Sequence, residues 1–308
     1  MTVPPSRKVL AGCVHAATAA PSLHNSQPWR FRIDGATVDV YADPSRHLHV
    51  IDPTGREQMI SLGAAVFNLR IAVRQAGYEC SVAPFPSPDV VARVTAGRPL
   101  APTPAVEALH AAIAQRHTNR WPFAPAAVPA DALERLVGAA RREGAMLTVA
   151  GPPARDAILG LALEADRRVR ARPGYQEELA RWTGASIRHD GVPAWATGPW
   201  DVLEAMPLRD LSAVPRPEAR FEPHPTILVL ATDADEPADW LRAGQALQRV
   251  LLTATRLNLA TTPISQPVEV PSVRAALSAR TAQMVLRVGY GKPAGRSPRR
   301  PVTEVLDA

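Results

Sequence analysis

Four short segments concentrate side chains that could grip a ligand. The first, APSLHNSQPW at 20–29, puts Ser22, Asn25 and Gln27 on a loop constrained by Pro21 and Pro28. Short polar side chains held on such a loop suit hydrogen bonding to a flat heteroaromatic ring with several donors and acceptors. Composition alone favours an ordinary Asn/Ser/Pro turn with Trp29 in the core. The second, RHTNRWPF at 116–123, carries two arginines, a histidine, a hydroxyl and an amide within five residues. A dianionic phosphate wants this set, because guanidinium gives bidentate charge-assisted bonds. The same residues also read as a solvated helix end whose cations complement the helix dipole. The third, TTPISQPVE at 261–269, could present backbone N–H groups to a ring edge from Ser265 and Gln266. The fourth, SPRRP at 297–301, holds an Arg pair that reads either as a phosphate grip or as a basic tail.

Other chemistries lack their motifs. GYGKPAG at 289–295 does not join a strand to a helix as a dinucleotide fingerprint does, and no Walker loop or GxSxG occurs. His47 and His49 have no partners at metal-ligand spacing, so no metal is expected. Cys13 and Cys80 form neither a disulfide framework nor a thiolate site and read as small buried hydrophobes. The net charge of +6 comes almost entirely from arginine. These arginines are spread along the chain without interleaved aromatics, which argues against a nucleic-acid surface. No apolar run approaches the roughly 20 residues that span a bilayer, and the N-terminal stretch reads as an amphipathic helix rather than a leader. A cytoplasmic protein without membrane partners is expected.

The elements that must hold these segments can be traced along the chain. Apolar spacing predicts helices over 6–19, 56–76, 105–115, 130–142, 154–170 and 237–258. WRFRI and TVDVY flank Asp34-Gly35 as a hairpin, and strands are expected near 78–83, 147–150, 226–232 and 282–291. The Pro-rich stretch 84–104 reads as a connector. Residues 172–222 hold three of the six tryptophans and show little periodicity, which suggests a functional loop or lid, or disorder. One internal echo stands out: SLGAAVFNLRIAVRQAGY (61–78) aligns without gaps with RAGQALQRVLLTATRLNL (242–259), with Gly63 matching Gly244. Two amphipathic helices can look alike by chance, but a glycine at the same phase favours a duplicated unit.

Taken in order, these segments resemble the nitroreductase superfamily, and within it the Acg-type FMN-binding oxidoreductases, over nearly the whole chain. That resemblance implies an α+β nitroreductase-like fold of two related halves, 1–104 and 105–308, forming an intramolecular pseudo-dimer, with 172–222 as a lid. It also implies a site for FMN. Arg116, His117, Thr118 and Arg120 would hold the phosphate and ribityl chain. Pro21, Ser22, Leu23 and Asn25 would lie against the ring. Pro263, Ile264, Ser265 and Gln266 would approach the flavin N5, and Arg300, with Arg299, would reach the phosphate. Many relatives carry Glu-Gly after Pro-Ile where this chain has Ser-Gln, so the N5 surroundings differ.

Each motif occurs once, so one complete FMN site per chain is expected at the junction of the halves, in a monomer with an internal two-fold that could dimerise further. The implied activity is hydride transfer from NAD(P)H to a nitro-aromatic, quinone or similar acceptor. The catalytic work would lie at the flavin N5, with Ser265 and Gln266 nearby and no protein nucleophile. The alternative is a flavin-sequestering protein whose lid limits turnover.

Overall fold

The computed structural model describes residues 4–184, 188–211 and 216–307. The chain begins with α1 (Arg7–Thr18), started by the Ser6 hydroxyl accepting from the Val9 N–H, with Leu10, Cys13, Val14 and Ala17 on its buried face. A hairpin follows, β1 (Trp29–Asp34) and β2 (Thr37–Ala42), in which Asp34 pairs with Thr37. The turn residues are therefore Gly35 and Ala36, one position later than the Asp-Gly pair suggested, and Gly35 supplies the positive φ of 54°. Next come α2 (Arg56–Gln75), β3 (Tyr78–Ser87) and β4 (Val90–Pro99). The sheet order is β1-β2-β4-β3, antiparallel throughout.

The expected connector at 84–104 is thus mostly a second hairpin. Pro84 and Pro86 lie on β3, the edge strand, where a missing N–H breaks no ladder, and a register shift between Pro84 and Ser87 absorbs the irregularity. Only residues 100–103 connect it to α3 (Pro104–Ile113).

The second half is built in the same order. α4 (Ala130–Arg141) precedes β5 (Met146–Val149). After α5 (Pro152–Arg170) and the long insertion come β10 (Thr226–Thr232), α7 (Pro237–Arg256), β11 (Ala260–Ile264) and β12 (Thr281–Gly289). Their sheet runs β5-β10-β12-β11. In both sheets the strands stand first, second, fourth, third, with one long helix between the second and third strands.

Those two long helices, α2 and α7, form the centre of the molecule. A Cβ placed on Gly63 would run into the carbonyl oxygen of Leu241, and one placed on Gly244 into that of Ile60. The contact is reciprocal: each glycine faces the residue three before the other, as in an isologous interface.

The insertion carries α6 (Tyr175–Arg181) and two small parallel pairs, β6 (Thr183–Gly184) with β7 (Val192–Pro193), and β8 (Trp200–Asp201) with β9 (Glu218–Ala219). Residues 185–187 and 212–215, inside the 172–222 segment, lie outside the described residues. The rest is ordered despite its lack of periodicity, because buried charges tie it down. The Glu178 carboxylate accepts from the Val50 and Ile51 N–H groups, and Arg172 donates to the Val50 and Glu269 carbonyls. Past β12 and α8 (Pro271–Arg274), which precedes it, the chain crosses back to the first half. There α9 (Val302–Val305) packs on α1, and the Asp307 N–H donates to the Phe31 carbonyl.

Candidate active site

A cleft of about 750 Å³, counting its open mouth, lies beside the α2–α7 contact. The loop after α1 contributes Pro21, Ser22, Leu23 and His24; the strand leading out of α3 contributes Thr118 and Arg120; β11 and its end contribute Thr262, Pro263, Ser265 and Gln266. α2 presents Glu57, Ile60, Ser61 and Ala64, spacings of three and four that put all of them on one helix face. The insertion closes one side with Leu208, Arg209 and Leu211.

The loop at 22–27 is strained and over-determined. His24, Asn25 and Gln27 all have positive φ, between 50° and 54°. Such backbone persists only where surroundings hold it. Here the Ser22 hydroxyl accepts from the Gln27 N–H at 2.9 Å, the Ser61 hydroxyl from the Leu23 N–H at 3.4 Å, and the Gln27 amide donates to the His189 carbonyl at 2.8 Å. Asn25 does not line the cleft. Its amide donates to the carbonyls of Gly191 (2.8 Å) and Pro298 (3.0 Å), so it ties the loop to the insertion and to the C-terminal segment.

Behind this loop a second groove opens, lined by His15, Ala19, His110, Arg116, His117, Arg296 and Arg299 among others. Arg116 is buried and Arg299 partly buried, and both donate to the Ala19 carbonyl, at 3.2 and 3.4 Å. Arg299 also donates to the Asn25 side-chain oxygen at 2.9 Å. No ion pair to a carboxylate is found for either arginine among the described residues. The Nε of each, and Nε2 of His117, are buried without a partner. Burial, reinforced by the neighbouring Arg299, pulls Arg116 down to about 9, and burial pulls Arg299 down to about 10. Burial and these same arginines push His117 down to about 4. Two adjacent cations, one buried and one partly buried, without countercharge are what a phosphate dianion would compensate.

Arg300 is differently placed. Its guanidinium faces Asp43 (3.8 Å) and Glu304 (3.4 Å), and its N–H donates to the Gln27 side chain at 2.8 Å. Ile264 is buried in the hydrophobic cluster under β10 and β12 rather than in the cleft. Ser265 and Gln266 do line it, and Gln266 holds the insertion by donating to the Pro207 carbonyl at 3.1 Å.

Three cleft residues carried little sequence signal. Glu57 sits in the first turn of α2; burial, with Asp52 and Glu269 adding to it and Arg56 opposing, raises its carboxyl to about 7. Arg209 pairs with Glu269 at 2.6 Å, donates to the Tyr175 hydroxyl at 3.2 Å, and is held well above the usual guanidinium range by that carboxylate despite its burial. His24 lies between better-known neighbours in a loop whose asparagine drew attention. The Ser61 position, four after Glu57, could have flagged the α2 face; nothing in the aperiodic insertion pointed to Arg209.

A sequence-family model described as the nitroreductase family matches residues 113–292. Over 319 residues the chain is 32% identical to Rv3131 of Mycobacterium tuberculosis (strain H37Rv), named as a presumptive NAD(P)H nitroreductase, covering 98% of this chain and 92% of that one. It is 30% identical to the acg protein of the same organism, likewise a presumptive NAD(P)H nitroreductase, over 97% of this chain and 95% of that one. The chain belongs to the nitroreductase family. Among solved structures, the FMN-dependent nitroreductase NfnB from Mycobacterium smegmatis in complex with NADPH aligns with 65% of this chain and 97% of its own, at 19% identity and a TM-score of 0.41.

Proposed function

We propose that this protein is an FMN-dependent oxidoreductase of nitroreductase type, taking a hydride from NAD(P)H and passing two electrons to a nitro-aromatic, quinone or similar acceptor. The observation that carries this reading is the Arg116–Arg299 pair, which has no carboxylate partner among the described residues and lines a groove on the same 116–120 segment that lines the cleft. Arg116 and His117 line the groove and Thr118 and Arg120, on the same short segment, line the cleft, an order that suits a ligand with a flat ring and a phosphate on a flexible chain. The donor set matches FMN.

Bound FMN would supply the two-electron chemistry; the protein supplies grip, orientation and charge. Arg116 and Arg299 would neutralise the phosphate. Pro21, Ser22 and Leu23 would bear on one side of the ring, while Pro263, Ser265 and Gln266 would bear on its reactive edge. Arg120, anchored by donating to the Ala196 carbonyl at 2.8 Å, and Arg209 put two cationic groups beside the cleft. Fixed positive charge in a dry site stabilises negative charge accumulating there.

The halves, 1–104 and 105–308, are read as a pseudo-dimer with one site at their junction. The matching strand orders and the reciprocal Gly63–Gly244 contact support this. The cleft draws on both halves, and the arginine groove lies between α1 and α3. Loading the purified protein with FMN tests the reading: one FMN per chain is expected, with most of the affinity lost in Arg116→Ala. A colourless protein that takes up no FMN, or two FMN per chain, contradicts it.

The insertion motivates a second reading. Residues 207–211 cover one side of the cleft and are pinned by the Arg209–Glu269 pair. A lid held that firmly suits flavin storage more than broad turnover. Stopped-flow mixing separates the two: rapid bleaching by NADH or NADPH supports the reductase, and a flavin reduced only by dithionite supports sequestration.

A further inference from the structure

His24 lines the cleft, is 5% exposed, and has no hydrogen-bond partner on either ring nitrogen among the described residues. Its neighbours in the cleft are satisfied. Arg120 donates to Ala196, Arg209 pairs with Glu269, the Ser61 hydroxyl donates to the Glu57 carbonyl, and Gln266 donates to Pro207. A buried polar group without a partner is costly, on the order of 1–3 kcal/mol, and calls for an explanation. The loop that carries it is fixed on both sides by the Ser22, Ser61, Asn25 and Gln27 contacts. His24 itself sits at φ 50°, a conformation that costs a β-carbon residue energy. The fold thus holds an imidazole, at a cost, in a cleft whose only remaining partner is the occupant.

The occupant's chemistry follows from the ring's charge. Burial, and then the nearby Arg209 and Arg120, hold His24 well below the usual imidazole value, so it is neutral at physiological pH. A neutral imidazole offers one N–H and one bare nitrogen. Between two guanidiniums it faces a region of positive potential that attracts oxygens rich in electron density.

We propose that His24 is the acceptor-binding residue of this cleft, donating its ring N–H to an oxygen of a carbonyl or nitro acceptor. It rests on the flavoenzyme reading above and adds the group that selects the acceptor. The residue positions and polarises that oxygen; being neutral, it is not the proton source.

The left-handed backbone suggests the variant, since glycine takes φ 50° without strain. His24→Gly removes the ring, and His24→Asn offers a shorter donor on a residue that also tolerates this backbone. FMN-loaded wild type and variants are titrated with 4-nitrobenzamide, following the flavin absorption difference spectrum, and FMN affinity is measured separately by fluorescence. We expect FMN affinity within about twofold of wild type, 4-nitrobenzamide bound at least tenfold more weakly by His24→Gly, partial recovery on adding free imidazole, and an intermediate value for His24→Asn. Unchanged 4-nitrobenzamide affinity in both variants overturns the proposal. So does a tenfold loss of FMN affinity with acceptor binding intact, which would give the ring to the flavin. A wild-type protein that takes up no FMN defeats the functional reading instead.

Discussion

Among single residues, Glu57 makes the sharpest statement about pH. Its carboxyl is held near 7 in the folded protein by burial, above an ordinary carboxylate's value of about 4.5. A raised carboxyl favours the fold where it is protonated, below the unfolded value, and that contribution is lost as the pH rises through the folded value. Glu57→Gln removes the charge while keeping the shape. Because Glu57 also pairs with the buried Arg56, the readout is the slope: between pH 5 and pH 8 the melting temperature of the variant should fall less than that of the wild type, and an equal or steeper fall contradicts the assignment. The Arg209–Glu269 pair makes the opposite case. Both groups are buried, and removing one strands the other, at about 3–5 kcal/mol. Glu269→Ala should therefore lower the unfolding free energy, read by chemical denaturation, by that amount, or loosen residues 207–211 enough to raise iodide quenching of bound flavin.

The reach of sequence reasoning was uneven at this scale. Arg116 and Thr118 stand in a dense run of donors that reads from sequence either as a phosphate grip or as a solvated helix end; the fold buries Arg116 and sets Thr118 in the cleft wall. Arg299 and Arg300 are adjacent and chemically identical, yet one borders the arginine groove and the other faces Asp43 and Glu304. Nothing in SPRRP distinguishes them, because the partners that separate them, Asn25 and Ala19 for Arg299 and Asp43 and Gln27 for Arg300, lie more than 250 positions away in the chain. Asn25 was read as a ring contact and instead ties three segments together.

At the level of elements, periodic segments were legible and aperiodic ones were not. α2, α7 and β10 follow their apolar spacing almost to the residue. β4 was hidden in a Pro-rich stretch because edge-strand prolines look like linker prolines until the sheet order is known. The insertion was hidden because buried ion pairs and backbone acceptors hold it, and these leave no period. The α2–α7 crossing gives a test on this scale. Gly63→Ala or Gly244→Ala forces a methyl group onto a carbonyl oxygen of the facing helix, where rigid backbone cannot yield. Each should cost about 3 kcal/mol or more, measured by chemical denaturation. Gly138→Ala, whose added carbon would meet nothing, should be neutral or slightly stabilising.

Across the whole molecule, residues from before and after position 104 together line the cleft. Among the described residues no helix is long and apolar enough to cross a membrane. The segment after β12 is the physical link: it carries Arg299 to the loop after α1 and then docks α9 on α1 and β1. Deleting residues 296–307 should abolish tight FMN retention while leaving most of the helical circular dichroism, because both long helices and both sheets precede the cut.

This return crossing also sets an order of events during synthesis. Ala19 and Asn25 emerge from the ribosome first, and Arg299, which must reach both, follows some 270 residues later. At roughly 5–20 residues per second that gap is tens of seconds, during which a nascent chain has the binding loop but not its second cation. On the proposed reading, a chain stalled on the ribosome before residue 299 should hold FMN far more weakly than the full chain.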